Sequence, residues 1–232
     1  MILSANQPYF APFPGFFYKA WMSDLFVLLD DVQFPQGTTW ISRNRFKSHQ
    51  GALWITVPVW KKGLGLQKIC EVKICHEGRW ARKHLESLKT AYKKAPYLPE
   101  HLEFLEELFS EKKENLLDLN LAVIRYLMRA LTVKTRLVLL SELNVASSGN
   151  RRLVDLCTKL GASQFVAQAP AKKFLDENSF QEEGIAIAYV NPPIPIYPQL
   201  WGDFIANLSA FDLVLNCGPK AHDILLSHSA GL

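Results

Sequence analysis

The sequence predicts an α/β protein with a Rossmann-like, three-layer parallel sheet, an inserted β-hairpin and a helical middle section. Three observations support this prediction. A continuous apolar run, LFVLL at 25–29, follows a short helical segment near the N-terminus, as in parallel strands that are covered on both faces. Residues 79–132 carry apolar side chains at helical spacing, and strand-like and helix-like segments alternate again in the last third of the chain.

The first residues are expected to form a β–α–β unit. A short strand at 1–5 is followed by a proline- and aromatic-rich loop, a helix at 16–24 that Gly15 opens, and the apolar strand at 25–29. Such units are normally right-handed, and the loop after the first strand lies at the carboxyl edge of the sheet. Ligands of open α/β sheets bind at that edge.

The inserted hairpin is predicted at about 52–76. Two strand-like runs, 53–59 and 68–75, flank a glycine-containing turn, whereas residues 34–51 are expected to be a long irregular loop. In the second run, apolar and charged residues alternate from 70 to 74, which is the period of a half-exposed strand.

The helical subdomain at about 79–132 should contain three helices. Leu85, Leu88 and Tyr92 recur at helical spacing, and the first helix should end before Pro96. Further elements are predicted downstream: strands at 136–140, 163–168 and 185–190, a helix that begins at Ser147 or Ser148 and is closed by Gly161, a short helix at 171–178, and a final helix at 208–217 that stops at Gly218 and Pro219.

The composition indicates a single cytoplasmic domain over residues 1–232. The apolar fraction of 49% suffices for a large core. No apolar run approaches the roughly 20 residues of a membrane helix, and the N-terminus lacks the features of a signal peptide. The four cysteines are far apart and form no CxxC pair, so we expect reduced thiols, no metal site and no cofactor.

The proline-rich loop carries the first candidate ligand-binding residues, Gln7, Tyr9 and Gly15. Three prolines stiffen this loop by fixing φ. A rigid loop before a helix presents backbone N–H groups that can hold a phosphate or a carboxylate. The alternative is a structural crossover that its aromatic side chains pack in place.

Two adjacent carboxylates, Asp30 and Asp31, end the second strand, with Gln33 beside them. Such a pair is costly unless it is solvated, paired or bound to a ligand. One of the two is the candidate general base. Because side chains alternate along a strand, the other is expected to be structural or a turn cap. Gln33 is a candidate for substrate binding.

A third group of candidates combines aromatic and basic residues: Trp40, Arg43, Asn44, Arg45 and Lys47. Arginine and lysine near an exposed tryptophan can grip an anionic ligand while its ring stacks on the indole. One alternative is a basic loop that pairs with the acidic residues of 100–114. Another is a surface for RNA, although no RNA-binding signature accompanies it.

Further candidates lie on predicted helices. His84 is a catalytic candidate inside the 79–94 helix, with a structural role as the alternative. Near the end of the chain, Asn207 and Ser209 fit a helix N-cap, and Asp212 and Asn216, four residues apart, share a helix face. This polar stripe is expected to face the ligand site or to bond to the first loop.

An ordered series of motifs resembles the WbqC-like family of bacterial proteins over nearly the whole chain: QPYFAPFPGFF, DLFVLLDDVQF, TTWISRNRFK and LWGDFIANLSAFDLVLNCGP. This family occurs among genes for O-antigen and other surface polysaccharides. Transfer of glycine or another acyl group onto an amino sugar has been suggested for its members. The resemblance implies a pathway more firmly than a reaction.

The first unit alone is also similar to the nucleotidylyltransferase-type Rossmann-like fold, in which an HxGH motif binds nucleotide phosphates. The matching stretch is residues 13–16, where Gly15 fits but Phe13 and Phe16 replace both histidines. This second resemblance therefore implies the fold and not nucleotidyl transfer by imidazoles.

Together these patterns predict a transferase that acts on an activated, nucleotide-linked amino sugar, by acyl or aminoacyl transfer. The expected partner is a small phosphate-bearing substrate. The alternatives are a non-catalytic nucleotide- or sugar-binding module and an RNA- or tRNA-binding protein, although a net charge of +4 does not by itself indicate nucleic acid. The proline-rich loop, the carboxylate pair and the Trp/Arg segment are expected to meet around one cleft above the parallel strands.

Overall fold

The computed structural model describes residues 1–227 and contains a five-stranded parallel sheet and a separate antiparallel hairpin. The sheet strands are β1 (Ile2–Asn6), β2 (Leu25–Leu28), β5 (Arg136–Leu139), β6 (Gln164–Gln168) and β7 (Ala186–Val190), and the hairpin strands are β3 (Arg43–Ser48) and β4 (Gly51–Thr56). The helices are α1 (Pro14–Trp21), α2 (Trp80–Tyr92), α3 (Leu98–Ser110), α4 (Leu116–Ala130), α5 (Gly149–Leu160), α6 (Glu177–Glu182), α7 (Ala210–Cys217) and α8 (Ala221–Leu226).

The spatial order of the strands is β5–β2–β1–β6–β7, with all neighbours parallel. The chain runs outward from β1 through β2 to β5, and then crosses to β6 on the other side of β1. The strand order therefore reverses between β1 and β6, which is the topological switch point of the sheet. The predicted α/β fold is confirmed.

Helices cover both faces of the sheet. Successive side chains of a strand point to opposite faces, so each buried strand contributes to two apolar clusters. Phe26 and Leu28 of β2 lie in one core cluster, which includes apolar residues of α1, α4 and α7. Leu25 and Val27 lie in a second cluster, with residues of α5 and α6. A fully buried strand needs apolar side chains at every position, which explains the uninterrupted LFVL of β2.

The hairpin exists, and the predicted strand at 53–59 overlaps β4, but its partner strand differs from the one that the sequence pattern predicted. The strand expected at 68–75 was wrong, because Ile69–Glu71 forms a 3-10 turn and the rest makes only isolated bridges. The irregular loop expected at 34–51 instead contains β3, which pairs with β4 so that Ser48 lies opposite Gly51. Gly51 closes this tight connection at φ 98°, a backbone conformation that favours glycine. Because some polar side chains of β3 are buried, its sequence does not show the alternation of apolar and polar residues that identifies a strand.

Smaller differences occur at helix ends. Helix α1 begins at Pro14, since proline is pre-organised for the first turn of a helix, so that Gly15 is its second residue. The short helix expected at 171–178 lies further on, as α6, because Asp176 caps it by accepting a hydrogen bond from the Asn178 N–H at 3.2 Å. The preceding segment, Ala169–Lys173, is a 3-10 turn.

Other boundaries agree with the sequence. Gly161 ends α5 in the left-handed conformation at φ 68°, and Ser209 caps α7 by accepting a hydrogen bond from the Phe211 N–H at 3.3 Å. Within residues 1–227, no helix is long and apolar enough to cross a membrane. The four cysteines are free thiols, and Cys157 and Cys217 are buried.

Replacing Gly218 with alanine is expected to destabilise the fold by about 2–3 kcal/mol, from backbone strain together with overpacking. Gly218 follows α7 at φ 50° and ψ −127°, and a Cβ atom there would overlap the ring of Tyr97. Urea unfolding of Gly184→Ala is the matched control, because Gly184 also has a positive φ of 70° but nothing within 4 Å of the added Cβ. Equal losses in the two variants would contradict the contribution assigned to Tyr97.

Candidate functional site

A cavity of about 570 Å³ lies at the carboxyl ends of β1 and β6, at the switch point of the sheet. We call it the switch-point cavity. Its volume lies in the range of roughly 300–1,000 Å³ that small-molecule sites occupy. The lining residues come from both strands, the loop after β1, the residue after β2, helices α1 and α5, and the segment after β6: Ala5, Asn6, Gln7, Tyr9, Lys19, Leu29, Leu153, Phe165, Val166, Ala167, Gln168, Ala171, Phe174 and Leu175.

The lining is apolar apart from a few polar side chains. Asn6, Gln7 and Gln168 provide amides, Tyr9 a phenol and Lys19 an amine, and none of the residues that line the cavity is a carboxylate. Burial raises the pKa of the Tyr9 phenol, partly opposed by a hydrogen bond with Asn6. An apolar wall with a small number of convergent polar groups is the usual construction of a ligand site.

Lys19 is the most unusual residue of this cavity. It projects from α1 and is only 4% exposed. Its Nζ donates hydrogen bonds to the backbone oxygen of Ala5 and to Oδ1 of Asn6, both at 2.8 Å, and lies 5.6 Å from the centre of the Phe26 ring. The amine is therefore fixed at the carboxyl end of β1.

The pKa of Lys19 falls from 10.5 to about 7, and the cause is its burial. Desolvation disfavours the charged form of an amine, and a nearby carboxylate would offset this effect. None of the ion pairs found among residues 1–227 includes Lys19. Near neutral pH, a large fraction of this amine is consequently uncharged.

The sequence reasoning did not single out Lys19. A signal was nevertheless present, since Lys19 is the one charged residue in the otherwise apolar helix PGFFYKAW. Every residue of that helix from Pro14 to Ala20 is buried. A lysine inside a helix that is apolar on all sides cannot reach water easily, and buried lysines are rare without a partner or a function.

Two asparagines hold the loop of residues 7–13, which we call the opening loop. Asn44 of β3 donates to the backbone oxygens of Phe10 and Ala11 at 3.0 and 2.7 Å. Asn120 of α4 donates to the oxygens of Pro8 and Ile41, both at 2.8 Å. These bonds fix the backbone on either side of Tyr9. Both asparagines therefore help to position Tyr9, which lines the cavity, although they do not line it themselves.

The start of α1 does not line the switch-point cavity. Gly15 packs against the loop after β7, where a Cβ atom would lie 3.1 Å from Cβ of Pro192. Gln7 and Tyr9 are the members of the first candidate group that do line it. The structure therefore places the cavity one helical turn further along α1, at Lys19, than the sequence reasoning expected.

Asp30 is fully buried and its carboxylate is already occupied. Its two oxygens accept hydrogen bonds from the backbone N–H of Ser141 at 3.0 Å and from the Ser141 hydroxyl at 2.6 Å. This contact connects the end of β2 with the turn after β5. This geometry fits a structural connection rather than a general base.

Asp31 lies in a different depression, of about 340 Å³, which it shares with Ser141, Asn144 and Ala146 among others. Its carboxylate forms an ion pair with Lys68 at 2.6 Å, which raises the pKa of Lys68. The neighbouring candidate Gln33 is exposed and forms an isolated β-bridge with Lys68. Both residues thus lie at the carboxyl edge of the sheet but outside the switch-point cavity.

Part of the Trp/Arg segment forms a layered arrangement on the hairpin surface. The indoles of Trp40 and Trp54 stack with centroids 5.7 Å apart, and Arg43 lies over the Trp54 ring at 4.1 Å. Arg45 lies 5.9 Å from the Trp40 ring and donates to the backbone oxygens of residues 206 and 207 at 3.2 Å. None of these side chains lines the switch-point cavity.

Lys47 belongs to a buried polar network between the hairpin, α2 and α7. Its Nζ donates to Oε1 of Gln199 at 3.0 Å and to the backbone oxygen of Asp203 at 2.6 Å. Asp212, also fully buried, accepts hydrogen bonds from the hydroxyls of Tyr92 at 2.7 Å and Tyr197 at 2.8 Å. Burial raises the pKa of Asp212, while the two tyrosines and Lys47 oppose that shift.

The remaining candidates have local partners. His84 Nε2 donates to the backbone oxygen of Thr56 at 2.9 Å, and burial lowers its pKa. The Ser209 N–H donates to the oxygen of Arg45 at 2.7 Å. Asn216 donates to the backbone oxygen of Asp212 at 2.7 Å, and Asn207 adopts a positive φ of 54°. This end of the chain bonds to β3 and, through Ala210, to the opening loop.

The three candidate groups do not share one cleft. The opening loop supplies Gln7 and Tyr9 to the switch-point cavity, Asp31 lines a second depression, and the Trp/Arg segment lies on the hairpin or in the network around Asp212. The expectation of a common cleft was wrong because β3 pairs with β4 and packs against α2 and α7, so that its side chains do not line the switch-point cavity.

The fold and the site define an α/β protein with a ligand-sized cavity at the switch point of a parallel sheet. The WbqC-like protein family matches residues 7–224, and the chain belongs to this family. It is 33% identical over 222 residues to the uncharacterized protein Rv1507c of Mycobacterium tuberculosis, with 94% of this chain and 95% of the relative covered. No solved structure matches the chain significantly.

Proposed function

We propose that this protein is a transferase that acts on an activated, nucleotide-linked amino sugar in the biosynthesis of O-antigen or another surface polysaccharide. The reaction is acyl or aminoacyl transfer onto the sugar amine, and the substrate occupies the switch-point cavity. The observation that carries this proposal is the buried amine of Lys19 at that cavity. The proposal places the protein in the cytoplasm, where nucleotide-linked sugars are made.

The lining of the cavity supports a ligand with both polar and apolar parts. The amides of Asn6, Gln7 and Gln168 can donate to and accept from sugar hydroxyls and phosphate oxygens. Phe165 and Phe174 provide apolar and aromatic surface on the β6 side, which suits a nucleobase or an acyl chain. Membership of the WbqC-like family supports the choice of an amino sugar over other ligands of this type.

Nucleotide-linked amino sugars are expected to raise the melting temperature of the wild-type protein in a thermal-shift screen, because a ligand that binds only the native state stabilises it. Ala171→Trp, at the edge of the switch-point cavity, should abolish that shift. Ala146→Trp, which fills the depression around Asp31, is the matched control and should retain it.

Two outcomes of this screen would contradict the proposal. If no nucleotide-linked compound stabilises the wild-type protein, the substrate class is wrong. If Ala146→Trp abolishes the shift and Ala171→Trp retains it, the ligand binds beside Asp31 and the proposed site is wrong. The melting temperatures of both variants without ligand provide the baseline.

A non-catalytic sugar- or nucleotide-binding module is the second candidate function. It is favoured by the absence of carboxylates from the residues that line the cavity, and by Phe13 and Phe16 at the positions of the HxGH histidines. A binding module would give the same thermal shift without any product. Mass spectrometry of mixtures that contain the nucleotide-linked amino sugar and acyl-thioester or aminoacyl donors distinguishes the two functions.

A further inference from the structure

Transfer of an acyl group to an amino sugar requires a proton acceptor. The sugar amine is largely protonated near neutral pH, and an ammonium nitrogen has no electron pair with which to attack a carbonyl carbon. The ionisable side chains that line the switch-point cavity are Lys19 and Tyr9. Because burial raises the pKa of the Tyr9 phenol, that group stays protonated and cannot accept a proton near pH 7.

Two protein acceptors are sufficient for the neutral form of the Lys19 amine. A neutral amine has two N–H groups and one electron pair, whereas an ammonium has three N–H groups. Two acceptors engage Nζ, the oxygens of Ala5 and Asn6, both at 2.8 Å. With both N–H groups donated, the electron pair of the neutral amine is free to accept a proton from a ligand.

The position of Lys19 also suits this role. Its Nζ is held at the carboxyl end of β1, just beyond the last paired residues of β1 and β6, Ser4 and Val166. The bond to the backbone of Ala5 fixes the amine relative to the sheet, and the bond to Asn6 fixes it relative to the start of the opening loop. A preorganised base needs no rearrangement when the substrate arrives.

We propose that Lys19 is the general base of the acyl transfer, and this inference rests on the proposed function. Nζ of Lys19 takes one proton from the sugar ammonium, and the freed electron pair of the sugar nitrogen attacks the acyl carbon of a thioester or aminoacyl ester. When the bond between that carbon and the carrier oxygen or sulfur breaks, the leaving group takes the second proton of the sugar nitrogen. Lys19 then releases its proton to solvent.

The protonation state of Lys19 can be measured without any substrate. Reductive methylation with formaldehyde and cyanoborohydride modifies neutral amines, and both reagents are small enough to enter the cavity. The methylation rate of Lys19, followed by peptide mass spectrometry, is expected to be half-maximal near pH 7 and to fall about tenfold per pH unit below it. The exposed Lys134 in the same sample is the internal reference.

The catalytic role is tested by substitution at Lys19. Lys19→Met and Lys19→Arg should each lower kcat by about 100-fold or more, because general base catalysis typically contributes that much. The residual activity of both variants should follow the titration of the free sugar amine alone, whereas the wild-type pH–rate profile should also reflect the titration of Lys19. Thermal shift with the nucleotide-linked sugar should still detect binding by Lys19→Met, which excludes loss of the fold as the cause.

The outcomes separate this inference from the proposed function. Wild-type turnover together with a Lys19→Met variant that keeps the wild-type rate and the wild-type pH–rate profile would overturn the role of Lys19 and leave the transferase in place. Methylation of Lys19 only well above pH 9 would also overturn it. Absence of wild-type turnover with every acyl donor would instead overturn the proposed function, and the catalytic role of Lys19 with it.

Discussion

Lys19→Met is expected to change the pH dependence of protein stability more than any substitution on the surface. The pKa of Lys19 is about 7 in the native state and 10.5 as its ordinary value. Between these two values the unfolded chain binds a proton that the native protein does not bind. The free energy of unfolding of the wild-type protein should therefore rise with pH across this window, by up to about 1.4 kcal/mol per pH unit from this group.

Methionine removes this contribution, so the stability of the variant relative to the wild type should decrease by about 2 kcal/mol between pH 7 and pH 9. Urea denaturation at both pH values measures the difference. The lost hydrogen bonds to Ala5 and Asn6 add an offset that depends much less on pH. Lys134→Met, at an exposed lysine, is the control, and its stability relative to the wild type should stay constant within about 0.5 kcal/mol. A constant difference for Lys19→Met would disprove the depressed pKa.

Asp212→Ala is expected to destabilise the protein by about 3–5 kcal/mol, because it breaks a buried hydrogen-bonded network that also contains Lys47. The substitution leaves the hydroxyls of Tyr92 and Tyr197 without their acceptor. It also removes the negative charge that partly offsets the burial of Lys47. The hairpin should be affected first, since the Tyr92 hydroxyl also accepts a hydrogen bond from the Lys47 N–H at 2.9 Å.

Chemical denaturation compares Asp212→Ala with Asp223→Ala, an exposed aspartate on α8 that should cost less than about 0.5 kcal/mol. Tyr197→Phe removes one hydrogen bond of the network and should cost about 1–2 kcal/mol. If Asp212→Ala cost no more than Tyr197→Phe, the carboxylate would not be the centre of the network. In that case the hairpin, residues 43–56, would show no selective loss of hydrogen-exchange protection in Asp212→Ala.

Local patterns in the sequence were sufficient for most secondary-structure elements. The unbroken apolar run of β2, the periodicity of α2 to α4 and the glycine that ends α5 each depend on side chains close to one another in the chain. The prediction failed where a strand buries polar residues. Asn44 and Lys47 of β3 are buried, so the alternation that identifies a strand was not visible, whereas residues 68–75 showed an alternation that no partner strand uses.

The candidate site was predictable in location but not in composition. The rule that ligands bind at the carboxyl edge of a parallel sheet indicated the loop after β1, and Gln7 and Tyr9 do line the switch-point cavity. Two adjacent carboxylates after a strand are conspicuous in a sequence, which favoured Asp30 and Asp31 as catalytic candidates. The structure shows that Ser141, more than a hundred positions away in the chain, occupies both oxygens of Asp30.

The sequence by itself determined the class of the sheet, the family and the edge of the sheet that carries the cavity, because all three depend on local composition and ordered motifs. Only the tertiary structure decided which polar groups face the cavity and which are paired. The chemistry of Lys19 depends on its distance from water and from any carboxylate, and both distances are set by the way in which the elements around it pack together. Its burial between α1, β1 and the opening loop gives an ordinary lysine the uncharged amine on which the proposed reaction depends.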